Sequence, residues 1–257
     1  MSYLGNKNFF LEVEQGNVSG WSHIRKFGKI FGLTTTLTPI TGTGLYQTPT
    51  TAQSLEIVSS SANDTSAGSG ARTVYVQGLD ANFALQSVTA TMNGTTPVAL
   101  SGTWFRVFRI YVVTSGTYGS VSASSHAGTI TVRNSGAGVS WGQLALDNSF
   151  AIGQSMIGAY TVPSGYTAYV YPYYMSVESS KIVSAYFFKR ENADDVTVPY
   201  SPIRSEISVE LTGGLNFLDS DMPIGIYSAK TDIVWMAKTA ASTANVSVSF
   251  DIYLKAV

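Results

Sequence analysis

Cysteine is absent from the 257 residues, which excludes disulfide frameworks, thiolate zinc sites and cysteine nucleophiles and leaves the redox compartment open. Histidine occurs twice, as His23 and His126, so only two imidazoles are available as a general base. Charge is scarce as well. Charged residues make up 12% of the chain, against roughly 25% in an average globular protein, and the net charge is −1. That balance lacks the basic excess that phosphate backbones require, so nucleic acid is not an expected partner. A surface this poor in charge is covered by Ser, Thr, Asn and Gly and packs readily against neighbours, which favours a subunit of an assembly. No apolar run approaches the roughly 18 residues of a membrane span, so no membrane is expected as a partner either. The opening Met1–Lys7 has no basic stretch followed by an apolar one, and the expectation is a product made in the cytoplasm without a secretory signal.

A chain of this length buries roughly 70% or more of its unfolded surface, enough for one large or two small cores without staples. Helical periodicity is nearly missing. About thirteen short segments rich in Val, Ile, Thr, Tyr and Phe recur between Gly, Ser, Asn and Pro clusters, which predicts an all-β protein built as a β-sandwich or jelly roll. The clearest are Ser54–Ser59, Arg72–Gly78, Ala84–Met92, Phe105–Thr114, Thr129–Arg133, Met156–Val162, Thr167–Val177, Ile182–Lys189, Glu206–Leu211, Asp232–Lys238 and Val246–Leu254. In the last, Val246, Val248, Phe250, Ile252 and Leu254 alternate with Ser247, Ser249, Asp251 and Tyr253, predicting one buried face and one turned to solvent or a partner. Asn93-Gly94 and Pro163-Ser164-Gly165 mark tight reversals, and the Gly/Ser stretches 59–70, 115–126 and 134–142 read as exposed loops. The layout this predicts is an N-terminal arm over residues 1–45, a sandwich over 46–145 and a jelly-roll-like sandwich over 146–257. Its alternative is a single fused domain with strands of both halves intermixed.

The search for chemistry finds no catalytic residue. Neither histidine lies in a recognisable nucleophile setting, and an α/β-hydrolase reading is set aside. A glycosidase needs two carboxylates facing each other across a groove, which spacing alone does not identify. Glu191-Asn192-Ala193-Asp194-Asp195 and Asp219-Ser220-Asp221 each gather oxygen ligands. Neither carries the full calcium-loop pattern, so they read as solvated turn carboxylates and no metal is expected. The glycines of Ser66-Ala67-Gly68-Ser69-Gly70 lead into no helix, so there is no phosphate cradle, and no cofactor is expected.

Two constellations suggest contact with other molecules. Trp21, Arg25, Lys26 and Lys29 fall in the mixed N-terminal segment and include the densest positive cluster of the chain. A solvated loop is the plain explanation, and docking onto an acidic neighbour such as a capsid protein the sharper one. Tyr169, Tyr171, Tyr173 and Tyr174, around Pro172, lie on one predicted strand whose alternate members point to opposite faces. One face joins the core, and the other offers rings to a sister subunit or a sugar.

Several runs resemble segments of structural proteins from tailed bacteriophages, aquatic ones especially. They are Ser54–Asp80, Asn93–Val98, Phe105–Arg109, Ala127–Val132, Tyr160–Gly165, Lys230–Ile233 and, upstream, Gly20–Gly28. The resemblance implies a non-enzymatic component of the virion, with no catalytic residue to carry over. It leads to a capsid decoration or cement protein whose partners are the major capsid protein or other virion proteins and sister subunits, and by analogy it implies a homotrimer. A tail or head-fibre protein that binds host surface glycans is the alternative, and a polysaccharide depolymerase a third.

Overall fold

The computed structural model describes residues 8–118, 125–147, 150–217 and 222–257. It is an all-β structure with antiparallel sheets and one short helix. Among the described residues no helix is long and apolar enough to cross a membrane. The chain opens with α1 (Phe9–Glu14), β1 (Trp21–Leu33) and β2 (Thr38–Pro39). Then come β3 (Leu55–Ser59), β4 (Ala71–Leu79), β5 (Leu85–Thr91), β6 (Val98–Ala99), β7 (Arg106–Ser115), β8 (Ile130–Asn134) and β9 (Ser140–Leu144), followed by the small hairpin β10 (Leu146–Asp147) and β11 (Phe150–Ala151). It ends with β12 (Ala159–Thr161), β13 (Tyr166–Arg190), β14 (Arg204–Phe217), β15 (Gly225–Tyr227), β16 (Asp232–Thr239) and β17 (Ala244–Ala256).

The middle strands make a sandwich of two sheets, β6-β3-β8-β9 facing β5-β4-β7. Their alternating Val and Ile side chains close on Trp104 and Trp141 in a core with Leu55, Ile57, Val76 and Ile110. The Gly/Ser loop before β4 is ordered by a buried carboxylate rather than left as loose chain. Asp64, with no exposed surface, accepts hydrogen bonds from Ser59 Oγ and from the backbone N–H groups of Ala71, Ala127 and Gly128.

The second sandwich is built on β13, whose 25 residues would reach about 80 Å if they ran straight. The strand bends instead where Ser180 takes φ +64° opposite Gly213 and Gly214 of β14 at +64° and +79°. Only a residue that tolerates the left-handed region fits there without strain, which explains the paired glycines. Before the bend β13 pairs with β17, and after it with β16, so one strand serves two layers. Tyr173 meets Trp235 at 4.5 Å between ring centres, and Phe187 meets Phe250 at 6.3 Å, joining the layers through the core.

Residues 21–33, placed by the sequence in an arm over 1–45, belong to this second sandwich. β1 pairs with β17 from Trp21↔Lys255 to Leu33↔Ala244, and β2 pairs with β16. The correction has a local cause: the period-2 alternation of Lys26, Gly28 and Ile30 inward with Arg25, Phe27 and Lys29 outward suits a strand. At Gly28 the backbones of β1, Ile40 and Gly158 come so close that a Cβ would sit 2.1 Å from the Ile40 carbonyl oxygen. The first sandwich is therefore inserted between the edge strands β1 and β2 and the body of the second. The two share one hydrophobic cluster through Leu79, Phe83, Phe105 and Phe108. The junction is pinned by Arg106, whose guanidinium makes a two-pronged ion pair with Asp232 at 2.9 and 2.8 Å.

Candidate functional site

On β1 the outward stripe Trp21, His23, Arg25, Phe27, Lys29 lies opposite Lys255, Tyr253, Asp251, Ser249 and Ser247 of β17. Direct cross-strand opposition explains why Arg25 takes Asp251, with Nε 2.9 Å and Nη2 3.2 Å from its carboxylate oxygens. His23 lies between two acids, Nε2 2.9 Å from Asp251 and Nδ1 2.7 Å from Glu14. Burial by itself would raise the Asp251 carboxyl, but the hydrogen bonds and charges of His23 and Arg25 outweigh it and bring the group down to about 2. Lys29 reaches Asp147 at 3.3 Å and covers the Phe31 ring. The expected basic docking cluster is thus not a set of free cations.

Lys26 departs furthest from expectation. It faces inward, is 3% exposed, and donates from Nζ to the Phe108 carbonyl at 2.5 Å. Desolvation, helped by the nearby charge of Arg109, pushes the amine well below its usual range. It is a junction residue and does not face a partner.

The tyrosines also redistribute. A bulge between Val170 and Tyr173, opposite Asp251, adds one residue to β13 at Pro172, where the missing N–H makes a break in the ladder cheap. The bulge reverses the alternation, so Tyr169 and Tyr171 turn outward, Tyr173 is buried in the core and Tyr174 is half exposed. Tyr169 and Tyr171 do not form an open platform. Helix α1, capped by Asn8, sets Phe10 4.9 Å from Tyr171 and 5.0 Å from Tyr253, while Phe9 packs on Trp21, which itself lies 5.1 Å from Tyr169.

Tyr174 instead borders a shallow hollow of about 300 Å³ with Phe27, Met156 and Leu215. Leu215 is 65% exposed and lies on β14, which pairs with β13 and, among the described residues, with nothing on its other side. The charges of β14 do not guard that open edge. Arg204 pairs with Glu191, Glu206 with Lys189 and the Tyr227 hydroxyl, and Glu210 with Ser184.

The remaining candidates for chemistry resolve locally. His126 is buried between the Gly128 carbonyl and the Gly153 N–H. Neither histidine bonds a Ser or Thr hydroxyl among the described residues. Gly138-Val139-Ser140-Trp141-Gly142 has the spacing of a nucleophile elbow, which the sequence reading passed over. Yet Ser140 opens β9 of an antiparallel sheet, and the strand-to-helix turn of that motif is absent there. Asp194 pairs with Lys230 and Glu191 with Arg204, so that cluster does not converge on a cation. No group of metal-ligating residues occurs among the described residues. Asp219-Ser220-Asp221 lies outside them. A roomier cavity, about 660 Å³, lies beside Tyr46, Tyr200, Ile203 and Met236, and its carboxylate, Asp232, is already held by Arg106.

A further groove, of about 340 Å³, opens between the outer faces of the two sandwiches and is lined by His23, Arg25, Tyr75, Gln77, Arg109 and Tyr111. Tyr75 and Tyr111 are direct cross-strand partners with ring centres 4.8 Å apart, and Gln77 faces Arg109. Sequence reasoning missed these residues although a signal existed. Tyr75 and Gln77 alternate with buried Val74 and Val76, and Arg109 and Tyr111 with buried Phe108 and Ile110.

No protein-family model matches the chain, and the search of curated proteins finds no match. Among solved structures, the isomalto-dextranase of Arthrobacter globiformis T6 complexed with panose is similar over 80% of this chain at 15% identity, with a TM-score of 0.23. The chain spans about a third of that enzyme, 34% of its length. The structure of infectious bursal disease virus, Gx strain, is similar over 92% of this chain and 76% of its own at 9% identity, with a TM-score of 0.22. At such TM-scores neither likeness assigns an activity.

Proposed function

We propose that this chain is a non-enzymatic structural subunit of a virus particle, a capsid decoration or cement protein that binds the capsid lattice and sister subunits. The observation that carries the reading is the open edge of β14. An unpaired run of backbone N–H and C=O groups along a 14-residue strand is a template for another chain, and monomeric proteins usually blunt such edges with proline, inward charges or a covering loop. Along β14 the exposed side chains are largely hydroxyls and already paired charges, and apolar ones stand exposed toward and beyond its C-terminal end, at Leu215, Met222 and Ile226. The scarcity of charge fits the same reading, because interface centres are depleted of it. The sequence resemblance to tailed-phage structural proteins supports the virion as the place of assembly and, by analogy, a homotrimer. No step of this reading requires a catalytic group.

The test is to add the purified chain to capsids lacking it and follow binding by sedimentation and electron microscopy. Saturable binding at lattice-related positions is expected, and it weakens at least about tenfold in Leu215→Glu. Absence of lattice-related binding would overturn the proposal.

A further inference from the structure

We propose that the groove between the two sandwiches binds an acidic saccharide, with Arg109 as the carboxylate receptor and the Tyr75–Tyr111 pair as the platform for the sugar ring. The site is lined by residues other than those of the β14 edge and goes beyond the assembly reading, which neither needs nor forbids it.

The first ground is charge. Arg109 makes no ion pair among the described residues. Its hydrogen-bond partner is a neutral one, the Arg25 carbonyl at 2.7 Å from Nη2. Arg25, Arg106, Arg133 and Arg204 each hold a carboxylate, whereas Arg109, like Arg72 and Arg190, bonds only backbone carbonyls, and of these three it is the one that shares its groove with a pair of neighbouring tyrosine rings. Arg25 stands next to it, 67% exposed, with its own acid already in place. The buried Lys26 amine lies close enough to feel Arg109. The groove thus holds a guanidinium fork suited to two-pronged binding of a carboxylate, and no acid among the described residues fills it.

The second ground is shape and hydrogen-bonding character. Tyr75 and Tyr111 lie side by side, tilted 34°, and are half-buried, so they are fixed by the sheet while their outer faces remain available. The electron-rich face of an aromatic ring attracts the polarised C–H groups along one side of a pyranose. Gln77, opposite Arg109 in the strand register, supplies both a donor and an acceptor for hydroxyls. The third ground is rigidity: Tyr75, Gln77, Arg109 and Tyr111 all stand on paired strands, so little ordering is needed on binding. A site that is concave, with a few convergent polar groups on fixed elements, has the build of a small-ligand site. An inorganic anion would use the guanidinium and leave the rings and Gln77 idle.

The experiment titrates the full chain with sodium glucuronate, with glucose and with sodium sulfate, reading ligand-proton saturation transfer and heat. Glucuronate is expected to bind saturably, at least about tenfold more tightly than glucose, and to show transfer from Tyr protons to the sugar C–H groups. Tyr111→Ala should abolish that transfer, and Arg109→Gln should erase the preference for glucuronate over glucose while leaving the melting profile intact. Should Arg109→Gln fail to fold, Gln77→Ala, which removes no charge, is expected to weaken glucuronate at least about threefold. Equal binding of glucuronate and glucose, no binding of either, or full competition by sulfate with no transfer from Tyr would each overturn the proposal. Capsid binding is read separately, so loss of one activity does not bear on the other.

Discussion

The ion pair at the junction offers the strictest check on how the two sandwiches are joined. Arg106 has no exposed surface and Asp232 is 5% exposed, and the guanidinium is satisfied on three sides. Nε and Nη2 bind the two carboxylate oxygens, and Nη1 donates to the Phe105 carbonyl at 2.8 Å. The Thr161 hydroxyl donates to the same carboxylate at 2.5 Å, and Phe83 and Phe105 pack over the guanidinium carbon at 5.7 and 5.1 Å. Removing one partner strands the other charge in a buried site beside aromatic rings, which costs about 3–5 kcal/mol in comparable buried pairs. Removing both and filling the space with apolar groups is close to neutral, because the desolvation penalty that the pair offsets disappears with it.

Arg106→Met and Asp232→Leu should therefore each lose about 3–5 kcal/mol, whereas the double substitution should recover most of that loss. In thermal terms each single variant should melt roughly 6–20 °C lower. Urea unfolding followed by tryptophan fluorescence reads the effect, since Trp104 and Trp141 report the first core and Trp235 the second. The four chains form a thermodynamic cycle whose coupling isolates the pair. Single losses below about 1 kcal/mol, or a double variant as unstable as the sum of the singles, would refute the account of the junction as a desolvated pair.

Two further outcomes follow from buried charge. Lys26 has a folded pKa below its unfolded value of roughly 10.4, so the folded state binds fewer protons between those two values. Stability should thus rise with pH through that window by about 1.4 kcal/mol per unit, and Lys26→Met should flatten the rise while stabilising the protein at neutral pH; urea unfolding at several pH values checks both. Asp251 is the opposite case. Its folded value of about 2 lies below the ordinary 3.8, so its contribution is fully present above the ordinary value and is lost as pH falls through about 2. Asp251→Asn should cost about 2 kcal/mol at pH 6 and only about 0.4 kcal/mol at pH 2, measured by the same unfolding series.

The all-β class was legible because alternation is a one-dimensional signal. In β17 the expected inward set Val246, Val248, Phe250, Ile252 and Leu254 is buried, and the sole departure, Tyr253, is covered by Phe9 and Phe10 of α1. What the residues could not announce were events that depend on a second chain segment. The bulge at Pro172 decides which of Tyr169, Tyr171, Tyr173 and Tyr174 face inward, and it is fixed by register against β17. Proximity in sequence groups Lys26 with Arg25 and Lys29, yet a strand separates neighbours to opposite faces. A period of 2 sets Lys26 with Gly28 and Ile30, the buried face of β1. The groove was invisible for a related reason, since Tyr75 and Arg109 meet His23 and Arg25 only after the first sandwich is inserted beside β1.

The chain's few charges are used mostly inside the molecule, and this bears on what its surface does. Arg106 and Asp232 join the sandwiches, Arg25 and His23 fasten β1 to Asp251 of β17, Arg133 and Glu56 hold β8 to β3, and Lys189 with Glu206 ties β14 to β13. Each such pair fixes strand register, which a hydroxyl-rich, weakly patterned β-sequence specifies poorly by side-chain size alone. The consequence is an exterior of Ser, Thr, Tyr and scattered Leu and Ile with little charge left to repel a neighbour. Against that background two features point outward: among the described residues β14 has a partner strand on one side alone, and Arg109 stands in its groove without a carboxylate. The first calls for another chain and the second for a small anion, so the two should respond to different substitutions, Leu215→Glu and Arg109→Gln.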